Sequence, residues 1–109
     1  MRALEIYRDG ILAGNLIEEN QSQFVFRYDD AYFLDDTKAP ISLTLSKTQK
    51  EHRSEVLFPF FYNMLSEGAN RKLQSMLWRI DENDSFALLM ATAQYDTIGA
   101  VTVKTSKEL

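Results

Sequence analysis

The chain opens on an alternation. Leu4 and Ile6 interleave with Glu5 and Tyr7, a period of two that predicts a strand with one buried face. Asp9-Gly10 follows. This pair readily adopts the positive φ angles of a tight hairpin turn, so Ile11 to Ile17 is predicted to return as a second strand. Gly14 sits inside that return, where a bulge or a close neighbour is the usual reason for a glycine. Phe24, Phe26 and Tyr28 then share one face, with Gln23, Val25 and Arg27 on the other, the strongest strand pattern in the chain. Asp29-Asp30 breaks it, and Ala31 to Leu34 predicts one short helical turn. Asp35 to Ala39 is a polar connection. Pro40 opens another alternating run in which Ile41, Leu43 and Leu45 face one way. Ser46 to Ser54 is polar and reads as a loop, and its Lys47, Lys50, His52 and Arg53 make it the most basic stretch.

The pattern switches to helix near residue 55. Val56 to Leu65 is too long and too apolar for an edge strand. Pro59 lacks an N–H and fits a first turn, which places the helix start near Phe58 and its end at Ser66-Glu67-Gly68. A second helix is predicted from about Asn70 to Ile80, with Leu73, Met76, Leu77 and Ile80 as one buried stripe. Asp81 to Asp84 forms a turn with Asn83 or Asp84 as N-cap, and Phe86, Leu88, Leu89 and Met90 drive a third helix to about Ala93. Gln94 to Thr97 turns the chain, Ile98 to Val103 makes a last strand, and Lys104 to Leu109 is a polar tail. Without βαβ alternation this order means an α+β fold. Its sheet is mainly antiparallel and able to close in part, with about three short helices between the fourth and last strands. No repeat or linker divides the chain, so residues 1–109 read as one domain.

Composition narrows the function. At 45% hydrophobic and 12% aromatic, the chain can build a core, which excludes a disordered tail or a low-complexity segment. A net charge of -4 disfavours independent binding of nucleic acid, which needs Lys and Arg to neutralise phosphates. The absence of Cys excludes disulfides, thiolate metal sites and a Cys nucleophile. Met1 to Glu5 lacks the apolar stretch of a signal peptide and no membrane span is evident, so the cytoplasm is the expected compartment.

Candidate chemistry is sparse. His52 is the only histidine and reads as a solvated loop residue. Asp29-Asp30, Asp35-Asp36 and Asp81 to Asp84 read as turn formers rather than metal ligands. Gly10, Gly14, Gly68 and Gly99 compose neither a phosphate loop nor a dinucleotide fingerprint. No catalytic set, metal or cofactor is therefore expected, and Lys47 to Arg53 reads as a solvated connection. One residue stands out. At about 100° per residue, Trp78 projects away from the stripe centred on Leu73, beside Arg71, Gln74 and Ser75. Trp and Arg are the types enriched at interface hot spots.

Several segments, in order and at similar spacing, resemble the N-terminal subdomain of HipA-type kinases, the toxin component of bacterial toxin–antitoxin modules. They are Gly14-Asn15-Leu16, Phe24-x-Phe26-x-Tyr28, Pro40 to Leu45, Phe60 to Gly68 and Asp96 to Thr102, spread over roughly residues 4 to 103. Ser46 and Ser66 stand where the family usually has Pro, and Ala93-Gln94-Tyr95 where it has a Gly. The family's nucleotide loop, catalytic Asp and metal-binding Asp belong to a longer chain and have no counterpart here. The chain is therefore most similar to the free-standing HipS-type antitoxins of three-gene HipBST systems. The resemblance implies a non-enzymatic binding protein that docks on a HipA/HipT-like serine/threonine kinase toxin lacking this subdomain and inhibits it. A HipB-like helix-turn-helix protein is implied in a larger complex. The alternative it implies is a structural N-terminal subdomain used for assembly with that DNA-binding antitoxin. The expected partner-binding residues are Ser66, Glu67, Gly68 and Asn70 of the turn, with Arg71 and Trp78.

Overall fold

The computed structural model describes residues 2–20, 22–63, 65, 76, 79, 81, 84–92 and 101–105. Strand β1 (Arg2–Arg8) turns through Asp9 and Gly10, at φ 53° and 78°, into β2 (Ile11–Asn20), the left-handed pair that Asp-Gly favours. β3 (Gln23–Tyr28) continues the meander. Helix α1 (Asp30–Leu34) follows, its first turn capped by the Asp29 carboxylate, which accepts from the Ala31 and Tyr32 N–H groups. β4 (Glu51–Ser54), helices α2 (Pro59–Tyr62) and α3 (Ser85–Thr92) and strand β5 (Val101–Thr105) complete the described elements.

The five strands form one open antiparallel sheet in the order β4-β3-β2-β1-β5. The fold is α+β as expected, but the sheet does not close: β4 and β5 are its two edges. Leu4, Ile6, Leu16, Phe24, Phe26, Tyr28, Val101 and Val103 bury one face against the helices. Gly14 lies on that face between Ile6 and Tyr28, where an added Cβ would sit 2.4 Å from the Arg27 carbonyl oxygen. The β1–β2 register also shifts beside it, leaving Ala13 as an extra residue, so the bulge and the close neighbour coincide.

An aromatic cluster fills the centre. Phe26 meets Tyr28 edge-on at 4.8 Å and Phe61 of α2 at 5.8 Å, while Tyr28 stacks on Tyr32 of α1 at 5.9 Å. Phe61 is fully buried, a contribution of about 1.5–3 kcal/mol by its transfer from water. The two phenols also reach polar backbone. The Tyr28 hydroxyl donates to the Leu45 carbonyl and accepts from the Ile41 N–H at 3.2 Å, and the Tyr32 hydroxyl donates to the Ala39 carbonyl at 2.6 Å. Burial pushes the Tyr28 phenol above its ordinary pKa.

Several expectations are corrected. Residues 40–45 are not a strand. Ser42 organises a turn, its hydroxyl accepting from the Thr44 N–H and its carbonyl from the Leu45 N–H, so Ile41 and Leu45 point inward while Leu43 is 99% exposed. The fourth strand is instead Glu51–Ser54, within the stretch read as a loop, and it pairs with β3 from Phe24↔Ser54 to Arg27↔Glu51. Helix α2 starts at Pro59 as expected but stops at Tyr62, well before Ser66. Met76 is helical yet 69% exposed, against its place in a buried stripe, and Arg79 has a left-handed φ of 55°; Leu73, Leu77 and Ile80 lie outside the described residues. β5 runs on through Lys104 and Thr105, both read as tail. α3 and its Asp84 cap fall where the pattern placed them, with the Ala87 N–H donating to the Asp84 carboxylate at 3.0 Å.

Candidate functional site

A cleft of about 840 Å³ opens at one end of the buried sheet face, between the starts of α2 and α3. β1, β2 and β3 supply Arg2, Glu18 and Phe24, which lie in one row across the sheet because the Gly14 bulge sets Arg2 opposite Glu18. The Arg2 guanidinium is fully engaged. Its Nε donates to Glu18 Oε1 at 2.7 Å, and its two terminal nitrogens donate to the Asp84 oxygens at 3.2 and 3.0 Å, a bidentate pair. It also lies 5.1 Å over the Phe86 ring. Burial works against the Arg2 charge, but the bonds to Asp84 and Glu18 outweigh it and raise its pKa. Burial likewise works against the Asp84 carboxylate, yet the Arg2 guanidinium and the Ala87 N–H hold it below the usual carboxylate range.

The mouth of the cleft has a different character. Val56 and Tyr62 are exposed apolar side chains at its edge, with Leu57 and Phe24 buried beneath. Glu55 and Asp81 stand at the rim. Among the described residues the lining includes the carboxylates of Glu18, Glu55, Asp81 and Asp84 and the Arg2 guanidinium.

The sequence did not single out this arrangement, although the signal was present. Counting back from Asp9-Gly10 with one extra residue at the Gly14 bulge places Arg2 opposite Glu18. The third member, Asp84, is legible only as a cap, because it lies 82 residues from Arg2 in the sequence.

The residues expected to bind a partner, Ser66, Glu67, Gly68, Asn70, Arg71 and Trp78, lie outside the described residues. The described positions around them are Leu65, which is buried, and the exposed Tyr62, Asn63 and Met76. Met76, one of the four residues of the stripe opposite Trp78, is exposed, and the other three lie outside the described residues.

The basic stretch is structural. Lys47 Nζ donates to the carbonyls of Asp35 and Lys38 at 2.7 and 2.9 Å and lies over the Tyr32 ring, and Lys50 pairs with Asp30. Arg53 pairs with Glu19 and Glu51, whose charges and hydrogen bonds raise its pKa. His52 is not a solvated loop residue. It sits half-buried on β4, its Nε2 2.8 Å from the Ser46 carbonyl oxygen and its ring edge-on to Tyr28. Among the described residues no group of three or more acidic, His or Cys side chains could hold a metal ion, and no helix is long and apolar enough to cross a membrane.

An open antiparallel sheet with helices on one face defines a small α+β domain, and comparison with known proteins specifies which. The model of the HipA N-terminal domain, Couple_hipA, matches residues 4–104, and the chain belongs to that family. A solved structure of the N-terminal domain of HipA toxin superposes with a TM-score of 0.74 at 26% identity, covering 100% of this chain and 96% of that one. An uncharacterized Haemophilus influenzae protein is 29% identical over 108 residues, 99% of this chain and 96% of its own length. The Sinorhizobium fredii protein Y4mE, whose name marks it as a candidate kinase, is 26% identical over 89 residues, 82% of this chain but 21% of its own length. The likeness to HipA thus covers the N-terminal domain and not the kinase domain.

Proposed function

We propose that this chain is a cytoplasmic, non-enzymatic antitoxin that docks on a HipA-like serine/threonine kinase toxin lacking this subdomain and inhibits it. The observation that carries the reading is the Haemophilus influenzae relative, of which the chain covers 96%, so the domain occurs in a protein of similar length as well as within longer chains. A domain that shares an interface with kinase lobes when fused must rebuild that interface non-covalently when separate. Such interfaces typically bury about 1,200–2,000 Å² and depend on a few aromatic or Arg anchors. The exposed Val56 and Tyr62 at the edge of the cleft support a docking face there. The anchors proposed are Ser66, Glu67, Gly68, Asn70, Arg71 and Trp78. In the proposed mechanism these residues hold the kinase's nucleotide or activation loop in an incompetent arrangement.

A second reading is favoured by Y4mE, in which the matched stretch is a small part of a longer protein. In that case the chain is a structural subdomain of a HipA-type kinase that assembles with a helix-turn-helix DNA-binding antitoxin. Co-expression with the kinase of the adjacent reading frame separates the two. Rescued growth with a co-purifying complex is the result expected of an antitoxin, and Trp78→Ala is expected to abolish both. Co-purification without rescue favours the assembly role, and rescue that survives Trp78→Ala overturns the choice of anchors.

A further inference from the structure

We propose that the free edge of β4 pairs with the same edge of a second copy of this chain, joining two sheets into one across a two-fold axis. This pairing is independent of the docking reading above. The Tyr28 N–H donates to the Lys50 carbonyl at 2.8 Å, and the β3–β4 register runs from Arg27↔Glu51 to Phe24↔Ser54. In an antiparallel ladder, hydrogen-bonded pairs alternate with non-bonded ones. Tyr28 with Lys50 is a bonded pair, and so are Phe26 with His52 and Phe24 with Ser54. Glu51 and Arg53 therefore aim their N–H and C=O groups away from β3, at the outer edge. Among the described residues no backbone bond reaches those groups, and both side chains are exposed. The β3–β4 register has no shift, unlike β1–β2 and β2–β3, and β4 contains no Pro, so the bulge and the proline that commonly block an edge are both missing from this strand.

Charge selects the occupant and the register. Antiparallel pairing about His52 sets Glu51 opposite the second copy's Arg53, and Arg53 opposite its Glu51, two oppositely charged pairs on one face. These are also the residues whose backbone groups face outward, so the same register lets each pair exchange its N–H and C=O groups. Glu51 then lies in a row between Arg27 of its own β3 and the second copy's Arg53. One step away in either direction, the registers that keep the backbone bonds set Glu51 against Glu51 or Arg53 against Arg53, which is destabilising. Within one chain Arg53 already holds Glu19 and Glu51, at 3.1 and 3.0 Å, so pairing extends an existing row of charges and strands none of them. The charges that turn away other strands thus admit this one. A four-residue edge is a smaller contact than the about 1,200 Å² typical of stable complexes, so two copies join at high concentration or where a partner already holds them together.

Sedimentation equilibrium and amide hydrogen exchange on the full chain test this, with protein at about 0.01 mM and about 1 mM. For a dissociation constant of about 0.1 mM, about 85% of chains are monomeric at the lower concentration and about 20% at the higher. Exchange at the Glu51 and Arg53 amides is then expected to slow about fourfold, while the His52 amide, bonded to β3 in both forms, changes little. This readout needs no variant. Glu51→Arg and Arg53→Glu each set like charges opposite one another in the pair, and each variant alone is expected to stay monomeric. Mixed in equal amounts, the two variants regain oppositely charged pairs and should form a dimer, which also shows that both fold. A wild-type chain that is monomeric at the higher concentration overturns the inference. So do dimers that persist in both single variants, a mixture of the folded variants that stays monomeric, or a dimer whose Glu51 and Arg53 amides exchange as fast as in the monomer.

Discussion

Replacing Gly14 by Ala adds one methyl group to the most crowded point of the sheet. The new carbon would stand 2.4 Å from the Arg27 carbonyl oxygen, 2.9 Å from Phe26 Cζ and 3.0 Å from Tyr28 Cα, where ordinary carbon contacts are about 3.5–4.0 Å. The nearest obstacle is backbone rather than a side chain that could swing aside. That backbone belongs to the β2–β3 ladder, in which Gly14 pairs with Tyr28 and Asn15 with Arg27. Relief therefore requires the two strands to part beneath the Phe26–Tyr28 ring contact. Overpacking of this kind costs about 1–3 kcal/mol, and the backbone obstacle sets the value near the top of that range. The stiffer unfolded chain returns about 0.4–1 kcal/mol. The net loss of about 2 kcal/mol corresponds to a fall in Tm of about 8–16 °C for a domain of this size. Urea unfolding should show a lower midpoint with an unchanged slope. Gly10→Asn is the matched control. Its φ of 78° suits Asn and no atom lies within 4 Å of the added Cβ, so a change within about 0.5 kcal/mol is expected. A Gly14→Ala protein as stable as the wild type would refute the close packing of β2 on β3.

Tyr28→Phe removes the hydroxyl that joins Leu45 and Ile41 to the sheet and should cost about 1–3 kcal/mol. Hydrogen exchange should speed up most at the Ile41 amide, and an unchanged rate there would mean that the 41–45 turn is held by other contacts. Asp84→Ala removes the cap of α3 and one partner of Arg2, an expected loss of about 1 kcal/mol near pH 7. The folded-state pKa of Asp84 is depressed, so its stabilisation is complete above the unfolded value of about 3.9 and fades as pH falls through the lower folded value. The gap between wild-type and variant urea midpoints should therefore narrow below about pH 4, and a gap constant to about pH 3 would refute the ion pair as its source.

The parts of the fold legible in the sequence are those whose local chemistry and burial agree. Asp9-Gly10 fixes the hairpin, Phe24, Phe26 and Tyr28 mark a buried face, and Asp84 announces α3. Ile41, Leu43 and Leu45 mimic a strand because spacing alone does not separate a strand from a turn that buries its first and last members. β4 is hidden in the sequence for the opposite reason. Glu51, His52, Arg53 and Ser54 have no apolar face, and the strand exists because its backbone completes the exposed side of β3 while its charges guard the edge. Of the site, the Asp84 cap was visible. Its union with Arg2 and Glu18 was not, since that contact depends on how strands and helix pack far apart in sequence.

The position of β1 has a consequence for how the molecule comes into being. Of the five strands the first to be made, β1, is an inner one, flanked by β2 and β5, so Leu4 meets Thr105 across a long stretch of sequence. During synthesis the β1–β2–β3 meander can assemble early from local contacts, but the other side of β1 then waits, its hydrogen-bonding groups open, until β5 emerges from the ribosome. Non-local closure of this kind is slow. An unpaired strand carrying Leu4 and Ile6 is also a ready template for other chains. Pairing of β1 with β5 must therefore wait for Val101 to Thr105, and nascent chains stalled before Val101 are expected to be the ones that chaperones hold and proteases clear.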